Sequence, residues 1–132
     1  MQLICDMLAD VDKDISKLKA NIGNQYLKNV FLAALLPQNK FILPEGAPPY
    51  KANELPSAQL HGAMWGVCKK LNIFWRKDLK PLQRESLFIT SLESVSKQEA
   101  ELLLAIKDQT LYRLYPNLTL DKISETFPGY VK

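Results

Sequence analysis

Apolar residues in the first part of the chain recur with the spacing of one face of a helix. Successive members of this seam are four or three positions apart, namely Ile4, Leu8, Val11, Ile15, Leu18 and Ile22. Aspartates and lysines occupy the opposite side. The pattern predicts a helix over residues 2–20. Its seam would pack against the rest of the chain or against a second copy, which would make a homo-oligomer.

The same spacing predicts further helices along the rest of the chain. We expect them at residues 25–36, 57–71, 81–94 and 97–107, with a short final helix after Thr119. Ser96 and Glu99 form the sequence pattern of a capping box, which marks a helix start. Because no strand is convincing, the chain is predicted to be all-α. The expected architecture is a single domain over residues 1–132, a compact bundle of five or six helices with one long proline-rich loop.

The long loop, residues 37–56, holds five of the eight prolines and is called the arm below. Prolines fix φ, and several apolar side chains lie among them. A flexible linker is instead rich in glycine and serine. We therefore expect an arm held on the helical body, anchored by residues 41–43 and turned at Glu45 and Gly46.

Two further features of this region concern what the arm contacts. Gly62 and Gly66 lie one turn apart in a predicted helix, where they would let another backbone approach closely. A stiff, extended segment with an aromatic residue is also a common docking element. The predicted partner-binding residues of the arm are Pro48, Pro49 and Tyr50.

Composition indicates a soluble globular protein. The 132 residues are 47% hydrophobic and 23% charged, which is unlike a disordered chain. No apolar run approaches the ~20 residues of a membrane-spanning helix, so we expect no membrane association. The N-terminus lacks the basic start and cleavage site of a signal peptide, and a cytoplasmic location is expected. Cys5 and Cys68 lie on or beside apolar helix faces and are predicted to be buried thiols.

The chain offers no arrangement of residues typical of catalysis or metal binding. An Asp-Val-Asp-Lys-Asp run at residues 10–14 resembles the start of a calcium loop, but Ile15 and Asn21 stand where that loop needs glycine and glutamate. The single histidine, His61, has no serine or cysteine paired with it by a motif. A phosphate loop, a dinucleotide fingerprint and zinc spacing are all missing. We therefore expect no enzyme activity, no cofactor and no metal.

Residues 69–84 form a basic stretch with six basic residues and one acid, a local charge of +5 in a chain of net charge +3. Three interpretations stay open. The rings of Phe74 and Trp75 could face the core, with the lysines merely solvated. The stretch could contact an acidic protein surface through Trp75, Arg76 and Lys77. It could also bind nucleic acid, with charge for phosphates and rings for stacking. The residues for nucleic-acid binding would be Lys69, Lys70, Arg76, Lys77, Lys80 and Arg84.

Four segments together resemble a known family. They are LPEGAPPYK at 43–51, LNIFWRKDLKPLQRESLFI at 71–89, KQEAELLLAIKDQTLYRLYP at 97–116 and FPGY at 127–130. They are similar to a small uncharacterised family of large contractile-tailed, myovirus-type bacteriophages, including phages of cyanobacteria. The resemblance implies a viral origin and a place in the host bacterial cytoplasm or in the virion. It implies no activity and no functional residues.

We expect a non-enzymatic phage interaction protein, a small adaptor or structural subunit that works by docking to a phage or host protein. One alternative is a host-takeover or regulatory factor that binds replication or transcription machinery. The other is a nucleic-acid-binding protein that uses residues 69–84. Nucleic acid is not favoured, because the residues outside that stretch sum to −2.

Overall fold

The computed structural model describes residues 4–55 and 57–131, with the side chains of 57–62 left aside. The all-α prediction is confirmed, and the described residues contain no β-strand, only an isolated bridge between Asn53 and Ser96. The α-helices are α1 Ile4–Lys13, α2 Gln25–Leu35, α3 Ser57–Lys69, α4 Pro81–Ser94, α5 Lys97–Lys107 and α6 Leu120–Thr126. Short 3-10 segments are Ile15–Asn21, Pro37–Asn39, Leu71–Trp75 and Leu111–Arg113.

Helices α2 and α5 form the centre of the molecule. Helix α5 contacts α1, α2, α3 and α4, and α2 also contacts α3. A helix that is apolar on most sides has to be covered on most sides. This holds for α2, in which Leu27, Val30, Phe31, Ala33 and Ala34 are all buried. The capping box predicted at the start of α5 is confirmed, because Ser96 and Glu99 bond each other's backbone N–H groups.

The predicted single helix over residues 2–20 is wrong, although its first two residues lie outside the described part. Helix α1 ends at Lys13, and a 3-10 segment, Ile15–Asn21, follows. The cause is Asp14, which adopts extended φ/ψ and accepts a hydrogen bond from the Ser16 backbone N–H at 3.1 Å. This local bond competes with the helix.

Most of the apolar seam packs within the chain. Ile4, Leu8, Val11 and Leu18 are buried, Ile15 is half-buried and Ile22 is 43% exposed. Helix α1 contacts α3 and α5, and the following 3-10 segment contacts α6. Most of the seam therefore packs within one chain, and the fold gives no support to a homo-oligomer through it.

The two thiols are buried, as predicted. Cys5 and Cys68 are free and lie in the core. Desolvation, with a smaller contribution from the Glu99 carboxylate, raises the pKa of each to about 12. Both thiols are therefore protonated and poorly nucleophilic at neutral pH. Among the described helices, none has the length and apolar character needed to cross a membrane.

Candidate docking site

The arm runs beside α4 in the same direction and is bonded to the helical body near both of its ends. Near its start, the Ile42 N–H donates to the Phe74 carbonyl at 2.9 Å, and the Ile42 carbonyl accepts from Arg84 Nη1 at 3.3 Å. Further along, the Lys51 N–H donates to Glu93 Oε2 at 2.8 Å. The arm is thus fixed at two points that lie nine positions apart on both segments.

The two segments differ in length between these points. Nine helical residues advance about 14 Å at ~1.5 Å each, whereas nine extended residues reach about 30 Å at ~3.3 Å each. The arm therefore has slack between the two points, and it bows away from α4. Between the bow and α4 lies a partly open pocket of about 390 Å³, called the arm pocket below. It is lined by residues 43–49 of the arm, Glu85, Phe88 and Ile89 of α4, and Lys107 of α5.

A buried lysine and its neighbour hold the bowed part of the arm, and we call this pair the clasp. Lys107 is 1% exposed, and its Nζ donates to the Pro44 carbonyl at 2.7 Å and to the Asp108 carboxylate. The other Asp108 oxygen accepts from the Gly46 N–H at 3.2 Å. The predicted turn at this place is confirmed, with Gly46 at φ +82°, a conformation that glycine adopts at no steric cost.

The predicted anchoring of the arm at residues 41–43 is confirmed, and the three residues are held in different ways. Phe41 is buried, with its ring centroid 5.0 Å from that of Phe74 and 6.0 Å from that of Phe88. Ile42 is 42% exposed, because only its backbone is bonded to the body, and Leu43 is half-buried. Aromatic packing of Phe41, the backbone hydrogen bonds of Ile42 and the packing of Leu43 against the core together anchor the start of the arm.

The predicted role of the two glycines in α3 is not supported. Gly66 is exposed, and a Cβ built there would meet nothing within 4 Å, so no backbone packs against it. The surroundings of Gly62 lie outside what the structure describes. The arm is held instead by α4, α5 and the 3-10 segment Leu71–Trp75.

Of the three predicted partner-binding residues of the arm, two line the arm pocket and one packs against the core. Pro48 is half-buried and Pro49 exposed, and both line the arm pocket. Tyr50 is half-buried and packs against the hydrophobic core. Tyr50 thus contributes to packing, and the two prolines form the wall of the pocket.

The other predicted partner-binding residues are Trp75, Arg76 and Lys77. They are not part of the arm but lie beside its first residues. Trp75 is half-buried, with its ring 6.3 Å from that of Phe41. Arg76 and Lys77 are exposed. The Arg76 guanidinium forms a bidentate pair with Asp78 and lowers the pKa of that carboxyl. Trp75 and Tyr50 are therefore at opposite ends of the arm and do not form one surface.

In the basic stretch, one aromatic ring lies in the core and most of the basic side chains are exposed. Phe74 is buried, and Lys69, Lys70, Lys77 and Lys80 are exposed. Arg84 is a correction to the predicted nucleic-acid residues, because it is 3% exposed. Its guanidinium donates to the backbone carbonyls of Ile42, Arg76 and Leu79 at 2.7–3.3 Å. It joins three chain segments and cannot reach a phosphate.

Sequence reasoning missed the residues that build the site, namely Glu85, Lys107 and Asp108. One signal was present for Lys107. It stands four positions after Leu103 on the apolar stripe of α5, where both side chains are buried. A charged residue on an apolar stripe is buried only if it is hydrogen-bonded or paired. The sequence could not identify the partners, because Pro44 is 63 positions away.

Comparisons with known proteins give one match. A protein-family model described as a family of unknown function, DUF6433, matches residues 7–113. The matched range contains the arm, α4 and the clasp, and leaves out α6 and the C-terminal residues. No curated protein and no solved structure matches the chain.

Proposed function

The chain belongs to the family of unknown function DUF6433, and we propose that it acts as a non-enzymatic interaction protein. In this proposal it is a small adaptor or structural subunit that docks a partner protein on the arm and α4. The observation that carries the proposal is the clasp. A buried ammonium and a carboxylate hold an otherwise irregular arm in one bowed shape above an apolar cavity.

Preorganisation explains why such a clasp favours docking. Holding a loop in its binding conformation before the partner arrives lowers the ordering cost of association. The volume of the arm pocket, about 390 Å³, is within the ~300–1,000 Å³ typical of preformed ligand sites. A loop needed only for chain connection requires neither a buried lysine nor a cavity.

An apolar side chain next to the pocket also supports the proposal. Leu82 is 75% exposed, the most exposed of the large apolar side chains described. It lies one turn before Glu85 and two turns before Ile89, so helical spacing places it on the same side of α4. Apolar side chains beside a preformed pocket are typical anchors of protein interfaces.

The identity of the partner is the second part of the proposal. The resemblance to a family of contractile-tailed phages supports a viral protein that acts in the host bacterial cytoplasm or in the virion. The partner would then be another phage protein, or a host protein of replication or transcription. Either kind of partner would dock on the same surface of this protein, so one experiment can test both.

Site-specific photocrosslinking tests the proposal. A photoreactive amino acid is placed at position 82 or 49, and the control is placed at Ile22, which is exposed but does not line the arm pocket. We expect the same partner to be crosslinked from positions 82 and 49 in infected bacteria and not from position 22. A partner also captured in uninfected bacteria would be a host protein. Equal crosslinking from all three positions would contradict docking at the arm.

A further inference from the structure

We propose that the arm pocket binds a segment of the partner protein in which an apolar side chain is followed by lysine or arginine. The apolar side chain would enter the cavity, and the cation would pair with Glu85. This inference rests on the proposed docking function and adds the chemistry that the pocket recognises.

The charges around the pocket leave one carboxylate without compensation. Three charged side chains line it, namely Glu45, Glu85 and Lys107. Lys107 is paired with Asp108, and the Glu45 carboxylate lies 3.6 Å from Lys40 Nζ. Within the described part of the chain, Glu85 has no hydrogen-bond or ion-pair partner. A complementary ligand therefore brings one positive charge.

The position of Glu85 favours a cation next to an apolar group. Glu85 is half-buried and shares the pocket wall with Phe88 and Ile89. A carboxylate partly shielded from water attracts a cation more strongly than a fully exposed one does. Apart from Glu45, Gly46 and Lys107, the remaining wall is formed by prolines and the aliphatic side chains of Leu43 and Ala47, which suit a leucine or a similar side chain. Because a protein segment can present both groups on adjacent residues, it fits the pocket better than a cation alone.

Blocked tetrapeptides test this chemistry on the full-length protein. The probes are acetylated and amidated Gly-Leu-Lys-Gly, Gly-Leu-Gln-Gly and Gly-Ala-Lys-Gly, titrated while amide chemical shifts are followed by NMR. Gly46 is a convenient reporter, because glycine amides fall in a sparse region of the spectrum. We expect saturable shifts at residues 43–49 and 85–89. The Leu-Lys peptide should bind about fivefold more tightly than the Leu-Gln peptide and about tenfold more tightly than the Ala-Lys peptide.

A double-mutant cycle isolates the proposed ion pair. In Glu85→Gln, the Leu-Lys and Leu-Gln peptides should bind equally, because the pairing carboxylate is gone. The fold should be unchanged, since Glu85 holds no other described group. The matched control is Glu101→Gln, which changes an exposed carboxylate of α5 outside the pocket and should keep the fivefold preference.

Several outcomes would overturn the inference. They are equal affinity of wild type for the Leu-Lys and Leu-Gln peptides, an unchanged preference in Glu85→Gln, shifts only outside the pocket, or no saturable shift at millimolar peptide. Docking itself would survive any of them if crosslinks from positions 82 and 49 persist. Loss of those crosslinks alone would instead contradict the proposed function and leave the peptide chemistry standing.

Discussion

At the scale of single residues, two buried cations hold the backbone together. Arg84 and Lys107 are 3% and 1% exposed, and both donate to backbone carbonyls of distant segments, at Ile42 and Pro44. A buried carbonyl without a donor costs about 1–3 kcal/mol. The long side chains of arginine and lysine can supply donors where loops lack regular hydrogen bonds. Both residues are thus structural parts of the arm's attachment.

Replacing Arg84 tests this structural role. Arg84→Ala removes the donors to the carbonyls of Ile42, Arg76 and Leu79, so we expect the free energy of unfolding to fall by about 2–4 kcal/mol. Chemical denaturation measures the change. Arg113→Ala, at an exposed arginine, should change it by no more than about 0.5 kcal/mol. A loss below about 1 kcal/mol for Arg84→Ala would mean that its hydrogen bonds do not stabilise the fold.

The Gln109 side chain provides hydrogen-bond donors at the end of α2, although its own backbone is strained. Its φ is 55°, and its side-chain amide nitrogen, Nε2, donates to the carbonyls of Ala33 and Leu36 at 3.1 and 2.7 Å. In a continuing helix, the Ala33 carbonyl would accept from residue 37, but Pro37 has no N–H. Gln109 supplies the missing donor. The Leu36 carbonyl also accepts from the Asn39 N–H, so Ala33 depends more on Gln109.

Two substitutions at this position separate strain from hydrogen bonding. Gln109→Ala loses both hydrogen bonds and keeps the unfavourable φ, so we expect it to cost about 2 kcal/mol. Gln109→Gly loses the same bonds and relieves the backbone, so it should be less destabilising by about 1 kcal/mol. Thermal or denaturant unfolding measures both variants. Equal free energies of unfolding for the alanine and glycine variants would show that the backbone at this position is not strained in solution.

At the scale of elements, the apolar seam contributes core residues on both sides of the break after α1, and only its last residue is exposed. Val11 is 1% exposed before the break, and Ile22 is 43% exposed after it. A buried aspartate without a partner is costly. We expect Val11→Asp to lower the free energy of unfolding by about 3 kcal/mol or more, and Ile22→Asp to change it by no more than about 0.5 kcal/mol. Equal effects of the two variants would favour one continuous buried seam.

The arm is an element without regular structure, and its order depends on separate bonds. The amides of Ile42, Gly46 and Lys51 each have an acceptor on a different element. In hydrogen exchange, Asp108→Ala should speed the Gly46 amide about tenfold or more, and Glu93→Ala should do the same for Lys51. Ile42 should stay slow in both variants and serves as the reference. If either variant sped up the exchange of all three amides, the arm would open as one cooperative unit.

At the scale of the whole molecule, the sequence predicts local features better than long-range attachments. The capping box of Ser96 and Glu99 follows from residues three positions apart, and the burial of Phe41 follows from its apolar, proline-rich surroundings. The break at Asp14 was missed because the apolar spacing continues through it, while a side-chain bond to Ser16 decides the backbone. The arm pocket was missed because it depends on the register between two segments about forty positions apart.

The number of exposed basic side chains in residues 69–84 limits nucleic-acid binding. Of the six basic residues in 69–84, Arg84 is buried and Arg76 is paired with Asp78. Four exposed lysines remain, at positions 69, 70, 77 and 80. Each neutralised phosphate of duplex DNA contributes about −0.9 to the slope of log affinity against log salt. The slope should therefore be no steeper than about −4.

Fluorescence anisotropy on single- and double-stranded DNA measures this limit. We expect weak binding near 150 mM salt, because counterion release from about four phosphates is largely lost there, and because the rings of Phe74 and Trp75 pack against Phe41 and are not free to stack on bases. Changing the four lysines to glutamine should abolish even the weak binding, whereas Arg84→Lys should act on stability alone. Tight binding with a slope near −5 would require about six neutralised phosphates, and within this stretch that would need all six basic side chains. Arg84 could reach them only if its bonds to three carbonyls broke, so such a slope would contradict the attachment of the arm as well as the proposed docking function.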